Sequence, residues 1–250
     1  MPGDTVLVTG AAGGIGSATV EALRAEGYRV VGLDREGPLP EMAENWLQHD
    51  LLDTAGTERL LASSPLLSGL RHVVAVAGGP VPEELGRLDP TDVPVGVFGA
   101  SVELNLVAQY ALVRAAVARI EQEALAGDHS ITLFSSINAL RGYGMPGYSA
   151  AKAGLLGLVV ALALPLGRRD IRINAIAPGT VVTEPLQENQ PAHGKLTPRL
   201  IDATASERGT RAEDVAHAAC SVIRLRQMTG QQLVIDGGQL VVPFDHYSFD

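Results

Sequence analysis

Short apolar runs alternate along the whole chain with segments whose apolar residues recur every three or four positions. Thr5-Val-Leu-Val8, Tyr28-Arg-Val-Val-Gly-Leu33, Trp46-Leu-Gln-His-Asp-Leu51, His72-Val-Val-Ala-Val76, Ser130-Ile-Thr-Leu-Phe134 and Ile171-Arg-Ile-Asn-Ala-Ile176 read as strands. Helical spacing fills 17–26, 54–62, 99–126 and 150–164 between them. In the third of these, Leu104, Val107, Ala108, Ala111, Leu112 and Ala115 form the apolar face, with Asn105 among them. Apolar strands separated by helices predict an α/β fold. The sheet is parallel, doubly wound, of about seven strands, with helices on both faces. Pro165 is expected to bend or end the last of these helices, and the Pro- and acid-rich stretch 80–94 reads as loop or irregular helix.

Composition narrows the picture. A chain of 250 residues that is 46% hydrophobic can bury a large core, and one domain over 1–250 is expected. Its 19 basic and 28 acidic residues leave a net charge of -9, which argues against nucleic acid or an anionic membrane as partner. Cys220 is the single cysteine, so no internal disulfide can form. That, with no basic leader and no apolar run of the roughly 18 residues a bilayer requires, predicts a cytoplasmic protein. No Cys, His and carboxylate residues cluster at ligand spacing, so no metal is expected; Trp46 reads as packing and His49 as surface.

The candidate chemistry gathers where strands end. Thr9-Gly-Ala-Ala-Gly-Gly-Ile-Gly16 joins a strand to a helix: Gly10 permits a sharp turn, Gly14 a close approach to pyrophosphate, and Gly16 close packing of the helix. With that turn the fold reads as Rossmann-like. Asp34, at the tip of the second strand, can accept hydrogen bonds from ribose hydroxyls and would repel a 2′-phosphate, which favours NAD; Arg35 beside it could partly rescue NADP. Asp50, at the end of the third strand, can bond the adenine amino group or cap the next helix. Ala77 and Gly78 leave room for a ribose and nicotinamide. The fifth strand delivers Ser135-Ser136 to the same edge. Tyr148 and Lys152, four apart on a helix, can put an ammonium beside a phenol and make that phenol usable near neutral pH. Asn105, if it faces the crevice, can hold a water, and Ala177-Pro178-Gly179-Thr180 forms a rigid turn there.

These segments, in this order from Thr5 to about Gly238, resemble the short-chain dehydrogenase/reductase family: the glycine turn, Asn105, Ser-Tyr-(three residues)-Lys, the 174–183 segment and Asp236-Gly-Gly238. The resemblance implies Tyr148 as general acid/base, Lys152 lowering its pKa and holding the nicotinamide ribose, Ser136 polarising the substrate oxygen, and Asn105 anchoring a relay water. It adds Ile15, Leu51, Val181 and Thr183 to the cofactor contacts, and implies a homo-oligomer, dimer or tetramer. Three departures stand out. Ala75-Val-Ala-Gly78 replaces the family's Asn-Asn-Ala-Gly, the serine-to-tyrosine spacing is one residue short so that Ser135 competes with Ser136, and Pro165 stands where an acid is usual. The activity implied is NAD(H)-dependent interconversion of a secondary alcohol and a ketone. An NADP-dependent biosynthetic ketoreductase, an elimination or epimerisation enzyme and a catalytically silent binding protein are the alternatives. Residues 182–206 read as a polar lid, Asn138, Leu140, Tyr143, Met145 and Val181 as pocket walls, and the aromatic tail 243–250 as a docking segment.

Overall fold

The chain passes through β1 (Thr5–Thr9), α1 (Gly14–Ala25), β2 (Arg29–Asp34), β3 (Trp46–Gln48), α2 (Thr54–Ser63) and β4 (Leu70–Ala75). It continues through α3 (Val95–Val102), α4 (Ala108–Glu123), β5 (His129–Phe134), α5 (Pro146–Gly167), β6 (Ile171–Pro178), β7 (Val181–Val182), β8 (Thr210–Arg211), α6 (Ala212–Arg224) and β9 (Gln232–Ile235). This computed structural model describes residues 3–85, 89–182, 204–206 and 208–242. Seven strands form one parallel sheet in the order β3-β2-β1-β4-β5-β6-β9, and β7 pairs with β8 separately. The fold is Rossmann-like. Strand order reverses between β1 and β4, and in sheets of this kind ligands bind in the crevice that opens beyond the strand ends at that point.

Alternation along each strand builds two cores. Leu7, Val31, Val73, Ile131 and Ile173 meet α2, α4 and α5 through Leu61, Leu112 and Leu155. Val6, Val8, Val30 and Val74 meet α1 and α6 through Val20, Leu23, Val215 and Ala219. Each of these side chains is buried, a burial worth about 1.5–3 kcal/mol for a residue such as Leu or Val.

Several elements depart from the pattern-based reading. The stretch expected as one helix over 99–126 begins at Val95 and is interrupted by a π turn at Glu103–Val107, a widening that periodicity does not encode. The helix expected over 150–164 begins at Pro146, whose fixed φ suits the first helical position, so Tyr148 lies in its first turn. Pro165 does not end it: the residue sits in the last turn, forgoes one hydrogen bond, and the helix closes at Gly167. The expectation that no apolar run could span a bilayer is also corrected. Val95–Glu123 and Pro146–Gly167 are long and apolar enough by length and composition, with mean hydropathies of 1.3 and 1.9. In α5 this apolarity has two destinations. Leu155 and Val159 enter the core, whereas Val160 and Leu164 stay 67% and 66% exposed. The expected lid, 182–206, lies mostly outside the described residues, as do Thr183 and the tail 243–250.

Candidate active site

The turn from β1 into α1 is held by contacts that leave no room for side chains. Gly10 has φ +67°, and a Cβ there would stand 2.7 Å from the Ala77 backbone nitrogen at the end of β4. At Gly16 a Cβ would collide with the Gly10 carbonyl, so the helix packs directly on the turn that precedes it. Gly14 and Ile15 open α1. No side chain caps that helix and no acid stands in its first turn, whereas α2 is capped by Asp53, which accepts from the Gly56 N–H at 2.8 Å. The free N–H groups of α1 therefore suit an external anion at the β1/β4 reversal.

Asp34 stands beside this turn. One of its oxygens accepts the Ala12 N–H at 3.0 Å and the other accepts the Glu36 N–H at 3.1 Å, which fixes the carboxylate and leaves lone pairs for ribose hydroxyls. Arg35 is exposed and pairs with Glu36 at 3.5 Å. Asp50 is exposed and accepts from the Leu52 N–H; the helix cap that it was a candidate for falls to Asp53 instead. Leu51 is 5% exposed within the core, which leaves its backbone for any cofactor contact. His49, expected at the surface, is half-buried and bonds Thr57 Oγ1 at 2.9 Å. These residues fit a dinucleotide: an uncapped helix for the pyrophosphate and a fixed carboxylate for a ribose.

Across the crevice, β5 and α5 bring the hydroxyls together. Ser136 stands close enough to the Tyr148 phenol to lower its pKa. Ser136 Oγ donates to Asn138 Oδ1 and accepts the Asn138 N–H, both at 3.2 Å. Ser135 points elsewhere, donating to the Lys152 carbonyl at 2.9 Å. Lys152 is 2% exposed, its Nζ lies 5.5 Å from the centre of the Tyr148 ring, and it donates to the Phe134 carbonyl at 2.8 Å. Gly78 makes room for it, since a Cβ there would sit 3.3 Å from Nζ and 2.8 Å from Asn105 Oδ1.

The electrostatics correct one expectation. Burial raises the Tyr148 pKa above its usual value, against a smaller lowering by the neighbouring Ser136 hydroxyl. Burial also brings the Lys152 ammonium down to about 7. A lysine so reluctant to carry charge does not, by itself, depress the phenol as its spacing suggested.

Asn105 is buried in the π turn, and both ends of its side-chain amide are engaged. It donates to the Gly79 and Ser101 carbonyls at 2.9 and 3.0 Å and accepts the Gly79 N–H at 2.9 Å. The side chain thus supplies the strand-end amide contacts that Ala75-Val-Ala-Gly78 lacks, and for a relay water it keeps only the second lone pair of Oδ1 beside its backbone. Gln109, one turn on, donates to the Ala77 carbonyl at 3.0 Å.

On the far wall, Gly179 donates to the Ile235 carbonyl and packs so tightly on Asp236 that a Cβ would approach to 2.8 Å. Pro178 closes β6, and Val181 is buried. Gln239, which sequence reasoning passed over, is 1% exposed and clamps Thr180 through its N–H and its hydroxyl. Glu84 was passed over too: it is 2% exposed and touches the first turn of α5. Neither carries a local signal, because each partner is distant in sequence. Among the described residues no group of three or more His, Cys, Asp or Glu is placed to hold a metal ion.

The comparisons with known proteins agree in kind. The family described as enoyl-(acyl carrier protein) reductase matches residues 10–239. The chain is 32% identical to L-rhamnose 1-dehydrogenase (NAD(P)(+)) of Azotobacter vinelandii, over 95% of this chain and 96% of that one. It is 30% identical to a 3-oxoacyl-acyl-carrier-protein reductase of Rickettsia typhi, over 96% and 98%. A crystal structure of a short-chain dehydrogenase/reductase family oxidoreductase from Burkholderia thailandensis superposes with a TM-score of 0.83 at 31% identity, covering 96% of this chain and 94% of that one. A matched glycine turn, a hydroxyl pair beside a buried lysine and relatives along the full fold lead to one conclusion: the chain belongs to the short-chain dehydrogenase/reductase family, as an NAD(P)-linked oxidoreductase of alcohols and ketones.

Proposed function

We propose that the protein is an NAD(H)-dependent enzyme interconverting a secondary alcohol and a ketone, with Tyr148 as general acid/base. The observation that carries this reading is the convergence of Ser136 at the end of β5, the Tyr148 phenol that it influences and the buried Lys152 amine 5.5 Å from the centre of the same ring. In the oxidising direction the Tyr148 oxygen, as phenolate, takes the hydroxyl proton as hydride leaves the substrate carbon. In reverse it returns that proton to the nascent alkoxide. Ser136 donates to the substrate oxygen, a contact worth most as negative charge builds there. Bound NAD+ supplies the hydride acceptor and a positive charge. Lys152 faces the same ring from a buried position, anchored to the end of β5 by its 2.8 Å bond to the Phe134 carbonyl.

The choice of NAD rests on Asp34, whose fixed carboxylate favours ribose hydroxyls and repels a 2′-phosphate, with Arg35 turned to Glu36. Initial rates with NAD and NADP across sugars, secondary alcohols and ketones test the reading. Turnover is expected with NAD(H), preferred by about tenfold or more, and Asp34→Ser is expected to shrink that preference by about tenfold, a loss of roughly 1.4 kcal/mol. Dinucleotide binding without turnover of any substrate would favour a silent binding protein.

The same proposal includes a homo-oligomer in the cytoplasm. Support for the first comes from apolar residues left exposed on two long helices, Tyr110 on α4 and Val160 and Leu164 on α5. Sedimentation equilibrium is expected to give a dimer or tetramer, shifted toward monomer by Leu164→Glu; a monomeric native chain would sink it. Support for the second is Cys220, buried, with burial pushing its thiol up to about 12, a packing residue rather than a disulfide partner.

A further inference from the structure

The first turn of α5 is completed by a residue from another part of the chain. Helices begin with N–H groups that have no intrahelical acceptor. In α5 the residue before the helix, Met145, lies in the left-handed region with φ 52° and offers no side-chain cap, and no acid stands in the first turn. Pro146 has no N–H to satisfy, and Ser149 already donates to the Met145 carbonyl at 2.8 Å. The donors left over are those of Gly147 and Tyr148.

Glu84 takes both. It ends a short 3-10 turn, Pro82–Glu84, in the loop that follows β4. One carboxylate oxygen accepts the Gly147 N–H at 2.6 Å and the other accepts the Tyr148 N–H at 3.2 Å. The side chain is 2% exposed, and among the described residues no basic side chain pairs with it. An anion buried without a cation is costly unless oriented donors replace its water, and a helix N-terminus provides both donors and a favourable field. The fit is tight: a Cβ on Gly147 would meet the Glu84 oxygen at 2.9 Å and the Phe98 backbone at 3.0 Å.

The loop that carries Glu84 touches both members of the Tyr148 and Lys152 pair. At its start, Gly78 lies against Lys152 Nζ; at its end, Glu84 holds the backbone N–H of Tyr148. We propose that Glu84 is a positioning residue: by capping α5 from the β4 loop, it fixes the Tyr148 backbone and so keeps the phenol in reach of Ser136. The inference rests on the reading of Tyr148 as acid/base. It concerns a residue that does not itself meet the substrate.

Glu84→Ala and Glu84→Gln test it, with Tyr148→Phe in parallel. The measurements are kcat, KM, dinucleotide affinity and thermal midpoint of the full chain. Displacing a reacting group by about 1 Å costs on the order of 10²-fold, so Glu84→Ala is expected to lower kcat by about that factor, with dinucleotide affinity within about twofold of native. Glu84→Gln keeps one carbonyl oxygen for one of the two N–H groups and is expected to recover kcat to within about tenfold of native. A native kcat in Glu84→Ala while Tyr148→Phe is silent would overturn this inference alone. So would equal losses of kcat, dinucleotide affinity and thermal midpoint in both Glu84 variants, the mark of a merely structural residue. Native turnover by Tyr148→Phe would overturn the underlying reading and this inference with it.

Discussion

Replacing Tyr148 with Phe is expected to lower kcat by about 10³-fold while dinucleotide affinity stays within about threefold of native. General acid/base groups contribute about 10²–10⁴-fold, and this variant removes the only atom that Tyr148 brings to the proton transfer. Almost everything else about the residue survives. Its backbone N–H keeps the Glu84 carboxylate, and its ring keeps Lys152 Nζ at 5.5 Å from the centroid. Ser136, beside the hydroxyl, retains both of its contacts with Asn138. Even the loss of a neutral hydrogen bond costs only about 1 kcal/mol, so the folded state persists and lost turnover reports chemistry rather than unfolding. Single-turnover rates and dinucleotide titration check this. A kcat within about threefold of native would remove Tyr148 from the reaction.

The same residues mark how far the sequence could be read. Strand, glycine turn and helix are encoded in adjacent positions, so Gly10, Gly16 and Asp34 come out of spacing alone, and the structure places them at the β1/β4 reversal. The rivalry between Ser135 and Ser136 was illegible, because it turns on side-chain direction at a strand end: one hydroxyl donates to the Lys152 carbonyl, and the other bonds Asn138 on the side of the phenol whose pKa it lowers. Asn105 was legible as a polar residue in an apolar helix face, yet the π turn that aims it and the Gly79 backbone that consumes its amide are tertiary facts. The start of α5 was placed late because its cap is Glu84, far away in sequence and close in space. The Tyr148 pKa was misjudged for a related reason. Spacing reveals the neighbouring charge but not the burial that weakens it.

That burial gives the second large effect, in which activity and stability move in opposite directions. Lys152→Met is expected to lower kcat by about 10²-fold or more, since it deletes the cation that faces the Tyr148 ring. In the protein without cofactor it is expected to stabilise the fold at pH 6. Burial holds the Lys152 pKa at about 7, against 10.5 for an unperturbed lysine. Below pH 7 both folded and unfolded chains carry the proton, and the folded state bears the whole penalty, on the order of 5 kcal/mol. Between 7 and 10.5 the unfolded chain still holds a proton that the folded chain has released, so native stability rises with pH and the penalty fades. Met keeps the aliphatic volume but leaves the Phe134 carbonyl without its 2.8 Å donor, which costs about 1–3 kcal/mol at any pH. With the carbonyl cost taken as about 2 kcal/mol, the difference predicts a variant more stable than the native chain by roughly 3 kcal/mol at pH 6 and less stable by roughly 1 kcal/mol at pH 10. Denaturant unfolding at the two pH values measures it. A difference of the same sign and size at both would mean that Lys152 bears no charge-burial penalty, and the crossing point locates the pH at which the fading penalty equals the cost of leaving the Phe134 carbonyl without its donor.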